Sequence, residues 1–293
     1  MVKKEAFIFS DFECEEPSRE CGFQLMKMED VFSIKSTTNK NPFKSHRIDF
    51  FTLLLLMEGE MTHEVDFVAY KMLAGDGLFV SKEQIHKFDE SPGYKGYILI
   101  FSEEFLIRHL SLSAFSKISF LSNYHLNPSL FKTFDDISVF MNALKRELSF
   151  ELGTIRDDIV ASMLTVFLLK AQLYTSHALK SYYGDYGQFA KFQNLVAAKY
   201  MESRSARYYA TRLFLPYKQL NKLSRIFTEM TAKEYINNYI ILEAKRSLAA
   251  TNTPVKEIAY SCGFKEATNF IKFFKRITGD TPMQFRKMRF GSS

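Results

Sequence analysis

The stretch Lys256–Lys275, KEIAYSCGFKEATNFIKFFK, constrains the fold more than any other part of the chain. Two helical patterns meet there at a single glycine. Ala259 is small, as needed where a second helix crosses the first, and four residues later Gly263 stands where the chain must turn through left-handed backbone, which only glycine adopts without penalty. Ile258, Cys262, Phe264, Phe270 and Phe274 can close a small apolar core around that turn. This is the steric pattern of a helix-turn-helix. Lys265, Thr268, Asn269, Lys272 and Lys275 fall on the remaining face of the second helix, which such a motif leaves open for a major groove. An ordinary helical hairpin with its lysines in water would read the same way over these residues alone.

An imperfect copy lies 49 residues upstream, in ARYYATRLFLPYKQLNKLSRIFTEMTAKEY. Ala210 matches Ala259, but Phe214 occupies the turn position, where a left-handed side chain costs about 1–2 kcal/mol. The sequence therefore predicts a first turn built differently from the second. The helix after Pro216 carries Lys218, Asn221, Lys222 and Arg225 on one side and Leu220 and Leu223 on the other. Pro216, Pro254 and Pro282 each stand where a helix would begin. Charge sets this region apart: residues 181–293 carry 19 Lys and Arg against 8 Asp and Glu, a net +11, while residues 1–180 carry 20 against 25, a net −5. A basic third joined to a mildly acidic body points to a polyanion-binding domain attached to something else.

At this point the sequence resembles the AraC/XylS family of bacterial transcription regulators, over about Phe192 to Arg289. The residues that carry the resemblance are FQNLVAAKY, YYATRL, LNKL, TAKEYI, LEAKRSLAATN, VKEIAYSCGF and FIKFFKRITGDTPMQFRK. Phe214 at the first turn, Pro216 where a Ser or Thr cap is usual, and Glu229 where Gly usually ends the first recognition helix depart from the family pattern. The resemblance implies two helix-turn-helix units joined by a linking helix, about Ala232 to Ala250, which lets two recognition helices enter successive major grooves about 34 Å apart. It implies base reading by Lys218, Asn221 and Lys222 in the first unit and by Ala267, Thr268 and Lys272 in the second. Lysine can donate to guanine, asparagine can pair both ways with adenine, and alanine or threonine methyls can meet the thymine methyl. Arg225, Lys275 and Arg276 are better placed for phosphates, which fix register without reading sequence.

The amino-terminal part reads as β-structure from about 30 to 105. FFTLLLLM is a strand-length apolar run, MTHEVDF and VAYKML can form a hairpin, and GDGLFV, IHKFDE and YKGYILIF follow at short spacing. From about 130 to 180 the period becomes helical, and Ile159–Leu169 is apolar nearly all round, which suits burial against the barrel or against a second copy of the chain. SYYGDYG at Ser181–Gly187 breaks the pattern and marks a boundary. Joined to a DNA-binding domain of this kind, the β-rich segment resembles the cupin-like sensor domain common in the family. The expected architecture is thus α+β: a cupin-like barrel with flanking helices over 1–180, for sensing and dimerisation, and an all-α double helix-turn-helix domain over 190–290.

Enzymatic cupins bind a metal through several histidines and a glutamate. Here only His46 and His86 match, Asp49 is the nearest oxygen ligand and His63 is offset, so neither metal nor cofactor is expected. His46, Arg47, His63 and His86 are instead expected to border a pocket for a small organic effector, anionic if Arg47 faces it. Two other readings stay open: a cupin enzyme or metal-binding protein fused to a DNA anchor, and a regulator whose barrel contacts only protein. The 3 cysteines, Cys14, Cys21 and Cys262, give an odd count at wide spacing, without a disulfide or zinc pattern. With no signal peptide or membrane span read from the sequence, a cytoplasmic, homodimeric regulator is expected, its partners duplex DNA and RNA polymerase.

Overall fold

The computed structural model describes residues 6–7, 22–31, 41–90, 93–110, 129–133, 137–150, 153–175 and 183–290, so Cys14, Cys21, Ser181 and Tyr182 lie outside the described residues. The chain divides into two compact units, residues 6–178 and 179–293.

The first unit holds two five-stranded sheets. One runs in the order β1 (Ala6–Phe7), β3 (His46–Ile48), β8 (Ile85–Lys87), β5 (Glu60–Val65), β6 (Val68–Leu73). The other runs β10 (Ser129–Lys132), β7 (Asp76–Val80), β4 (Phe51–Glu58), β9 (Lys95–Phe101), β2 (Phe23–Lys27). Pairing is antiparallel except between β1 and β3. β5 and β6 form the expected hairpin, with Val65 opposite Val68 and positive φ at both turn residues, Asp66 and Phe67. β1, β2 and β10 lie outside the 30–105 span expected from sequence. All three sit at sheet edges or pair one neighbour, and two are short, so alternation alone does not reveal them.

β4 explains its own unbroken apolar run, because both of its faces are buried. Leu54 and Leu56 point between the sheets, into a core with Met28, Ile48, Phe50, Met61, Met72, Leu78 and Ile98. Phe51, Leu53 and Leu55 point the other way, under three helices: α1 (Glu103–His109), α2 (Ile137–Leu148) and α3 (Thr154–Thr175). Val160, Leu164, Phe167 and Leu168 of α3 close that second core, while Ile155, Ile159 and Val166 on its opposite side are exposed.

His63 and His86 are part of the space between the sheets and are fully or almost fully buried. His63 Nε2 and His86 Nδ1 share a hydrogen bond at 3.0 Å, and the rings of His46 and His86 lie 4.5 Å apart. Burial pushes His63 down to about 3, with His46 adding to the effect and Asp89 opposing it. Burial, then His46 and His63, holds His86 well below its ordinary value. Arg47 points away from this group. It alternates with His46 and Ile48 along β3, and its guanidinium pairs with Glu83. The expectation that Arg47 borders a pocket with the histidines is therefore corrected by the two-residue period of the strand.

The second unit is helical: α4 (Tyr183–Lys199), α5 (Ala206–Arg212), α6 (Tyr217–Thr228), α7 (Ala232–Ala250), α8 (Val255–Ser261), α9 (Ala267–Thr278) and α10 (Pro282–Phe290). α5–α6 and α8–α9 are the two helix-turn-helix units, and α7 links them over the expected bounds. The first turn is one residue shorter than the second, but both pivot on the same left-handed step. Phe214 takes φ 55° and Gly263 φ 77°, and the next amide reaches back to the same carbonyl in each copy: Leu215 N to Ala210 O and Phe264 N to Ala259 O, both 3.0 Å. Phe214 adopts left-handed geometry with its side chain 93% exposed, so no tertiary clash is added to the intrinsic cost of about 1–2 kcal/mol. Glu229 likewise ends α6 at φ 60°, as Gly279 ends α9 at φ 87°. The second turn holds one more residue than the first, so the repeat offset is 49 up to the turn and 50 beyond it, which aligns Lys222 with Lys272 and Arg225 with Lys275.

Gly263 has a second constraint: a Cβ there would stand 2.2 Å from Met201 O. Gly263→Ala is therefore expected to destabilise the helical unit by about 2 kcal/mol or more, from left-handed strain plus displaced backbone. Phe214→Gly should instead be neutral or stabilising by up to about 1 kcal/mol, as relief of strain outweighs the added freedom of the unfolded chain. Urea unfolding followed by circular dichroism checks both signs. In the barrel, the unfolded chain takes up protons below pH 6.5 that the buried His63 cannot accept until near pH 3. Stability is thus fully present above about 6.5 and falls with pH through that window, by about 1.4 kcal/mol per pH unit for each histidine kept neutral. Urea midpoints of the first unit that stay level from pH 7.5 to pH 5 would contradict this.

Candidate nucleic-acid interface

Each recognition helix is two-sided. In α6, Leu220, Leu223 and Ser224 are buried, while Lys218, Lys222 and Arg225 are exposed. In α9, Phe270, Phe273 and Phe274 are buried, while Thr268, Asn269, Lys272, Lys275 and Arg276 are exposed. The apolar spacing that seats each helix is what turns its basic residues outward. Ala267 is half-buried at the first position of α9.

The packing beneath these faces is largely aromatic. Phe270 lies 5.4 Å from Phe264 and 5.8 Å from Phe274, and Phe192 of α4 lies 5.9 Å from Tyr209 and 5.4 Å from Tyr235. Cys262 is buried in the second unit, and burial pushes its thiol up to about 12, so it stays a neutral thiol, not a nucleophile.

The linking helix α7 begins at a capping box: Thr231 accepts from Glu234 N at 3.2 Å, and Glu234 accepts from Thr231 N at 2.8 Å. Thr281 and Gln284 repeat the arrangement at α10. Asn221 joins the first of these caps, its Oδ1 accepting from Ala232 N at 3.0 Å. That bond engages the oxygen that a two-bond pairing with adenine would also use. The geometry thus places Asn221 as a helix cap, and the matching position in the second unit is Ile271.

The N-terminal ends of the two recognition helices border one groove, Tyr217 from α6 and Asn269 from α9, with Lys265 beside them. Arg204, Arg207 and Lys233 line the same groove; the sequence reading missed all three because they come from a loop and two different helices. Among the residues expected at an effector pocket, His46, His63 and His86 come together and Arg47 does not. The core between the sheets is occupied by apolar side chains no more than 8% exposed. Among the described residues, no group of three or more His, Cys, Asp or Glu is placed to hold a metal ion, and no helix is long and apolar enough to cross a membrane.

Comparison with known proteins matches both units. A family model of a helix-turn-helix domain matches residues 209–288, and one of the AraC-like ligand-binding domain matches residues 31–152. The HTH-type transcriptional activator RhaS of Pectobacterium atrosepticum is 23% identical over 279 residues, covering 91% of this chain and 98% of that protein. RhaS of Yersinia pseudotuberculosis serotype I is 22% identical over 261 residues, covering 87% and 93%. Among solved structures, ToxT from Vibrio cholerae aligns over 91% of this chain and 98% of its own, at 16% identity and a TM-score of 0.47. With a ligand-binding domain preceding a double helix-turn-helix, and transcriptional activators matching it over nearly their full length, the chain belongs to the AraC/XylS family of DNA-binding transcription regulators.

Proposed function

We propose that residues 190–290 read DNA through Lys218 and Lys222 of α6 and through Ala267, Thr268 and Lys272 of α9, with Arg225, Lys275 and Arg276 on phosphates. The observation that carries this reading is the shared groove: two helices with buried apolar backs and exposed basic fronts begin at its rim. Asn221 contributes by capping α7 and so holding the first recognition helix against the linker. Because the curated relatives are named activators, RNA polymerase is the proposed protein partner, and the cytoplasm the proposed compartment.

Residues 1–180 are proposed as the sensing and dimerising part. The ligand-binding family match supports a small organic effector, without metal, near His46, His63 and His86. With Arg47 paired to Glu83 on the other side of β3, the residue that pointed to an anionic effector lies away from the histidines. A ligand entering between the sheets would have to displace side chains, and Met28, Met61 and Met72 are the adaptable ones there. That packed core equally favours a second reading, in which the barrel acts through protein contacts alone. Calorimetric titration with candidate effectors separates the two: saturable binding weakened by His86→Phe supports a ligand, and its absence across carboxylates, sugars and lipids supports protein contacts.

Lys222→Ala and Lys272→Ala are each expected to relax preference at one or two base pairs, by about 1–3 kcal/mol there, and to similar extents because the two turns share one geometry. Arg276→Ala should weaken all sequences alike. Binding-site selection in which Lys272→Ala keeps the wild-type preference would remove Lys272 from the reading set. The exposed apolar side of α3, with Ile155 at 75% and Val166 at 51% exposure, is the proposed dimer contact. Sedimentation of the full chain should show a dimer at tens of micromolar that Ile155→Lys with Val166→Lys dissociates. A wild-type monomer at that concentration would contradict it.

A further inference from the structure

The groove between the recognition helices holds four cations without a matching set of carboxylates. Arg204, Arg207, Lys233 and Lys265 line it, from the α4–α5 loop, α5, α7 and the turn before α9. Its one lining carboxylate, Glu202, is already taken by Lys199 Nζ and Tyr208 Oη, both at 2.6 Å. Arg204 and Lys233 are held in place by contacts that involve no carboxylate. The Arg204 guanidinium lies 4.0 Å from the centre of the Phe264 ring, and Lys233 Nζ donates to Arg204 O at 2.5 Å. Burial, then the charges of Arg204 and Arg276, lower the pKa of Lys233. Like charges pressed together in this way are stabilised by an anion placed between them.

The position of the groove says which anion. A duplex that enters its major groove with α6 and again, one turn on, with α9 must pass its minor groove, and the two phosphate strands that wall it, across the space between those helices. We propose that this groove seats the sugar-phosphate backbone of the DNA segment between the two major-groove contacts, with Arg204, Arg207, Lys233 and Lys265 on its phosphates. The inference rests on the DNA-binding reading above and adds four phosphate contacts to it. Arg204, held over the Phe264 ring, keeps guanidinium N–H groups available for paired donation to phosphate oxygens. These contacts carry no base preference. They set the spacing and the bend between the two segments that are read, so they act on every sequence alike.

The test uses the full chain on a duplex obtained by binding-site selection, with Arg207→Gln, Lys233→Gln and Lys265→Gln made singly and together. Arg207 and Lys265 are exposed, so these changes leave the fold intact, which circular dichroism verifies. Each substitution should lower the slope of log affinity against log salt by about 0.9, and weaken selected and scrambled duplexes by the same factor. Neutral methylphosphonates placed between the two major-groove segments should remove the difference between wild type and the triple variant. If the wild type binds but the variants keep its salt slope, the phosphate seat is overturned while the DNA-binding reading stands. If methylphosphonates act only outside that segment, the seat is likewise overturned. If the wild type binds no duplex, both fall together.

Discussion

Everything in the DNA-binding unit depends on the burial of the linking helix. Along α7, Tyr235, Ile236, Tyr239, Ile240, Ile241, Ala244, Leu248 and Ala249 are buried, so the helix presents apolar surface on nearly every side and packs against both helix-turn-helix units. A charged pair is held inside this packing: Arg246 is fully buried and donates to Glu243 at 2.5 Å. Both residues belong to α7 itself, so the pair fastens one turn of the linker internally, and removing one partner strands the other charge away from water, a loss of about 3–5 kcal/mol. The tie between the two halves is steric. Gly263 lies against the main chain of Met201, which brings the turn of the second unit onto the loop before the first. With that contact and the burial of α7 in place, the separation of α6 and α9 is set by packing within the protein before any DNA arrives. Preorganisation of this kind reduces the ordering cost of binding.

The sensor unit is organised around a different constraint, a strand buried on both faces. β4 separates two cores, one between the sheets and one beneath α1, α2 and α3. A side chain displaced in the first core presses on the backbone of β4, and through it on Phe51, Leu53 and Leu55 under the helices. Close-packed interiors transmit such shifts instead of absorbing them. The exposed side of α3 is the outer surface of that second core, so the packing between the sheets and the outer face of α3 are mechanically joined within one unit.

Much of this was legible in the sequence where a residue's role is local. The small residue and glycine of the second unit and the apolar backs of both recognition helices follow from spacing and from backbone geometry, while the ends of the linking helix come from the family resemblance. Where the sequence misled, the deciding interaction was non-local or finer than the rule applied. Phe214 argued for a different first turn, yet it takes the same left-handed step as Gly263 and bears the modest backbone cost, while the turn is shorter by one residue. Asn221 has the chemistry to read adenine, but its oxygen meets the amide of Ala232 eleven residues on. Arg47 follows His46 directly, and that adjacency itself puts the two on opposite faces of a strand; the period-two rule could have shown it. Arg204, Arg207 and Lys233 could not be singled out, because only the tertiary fold gathers them beside Lys265.

The central claim is that one chain reads two segments of DNA through two helices held at a fixed separation. Methylation interference at guanine N7, with the full chain on duplexes from binding-site selection, measures this directly. The account predicts two clusters of interference in the major groove, about 10–10.5 base pairs apart and on one face of the duplex. Lys222→Ala should erase one cluster and Lys272→Ala the other. A single cluster, or two whose separation varies freely among selected sites, would contradict it.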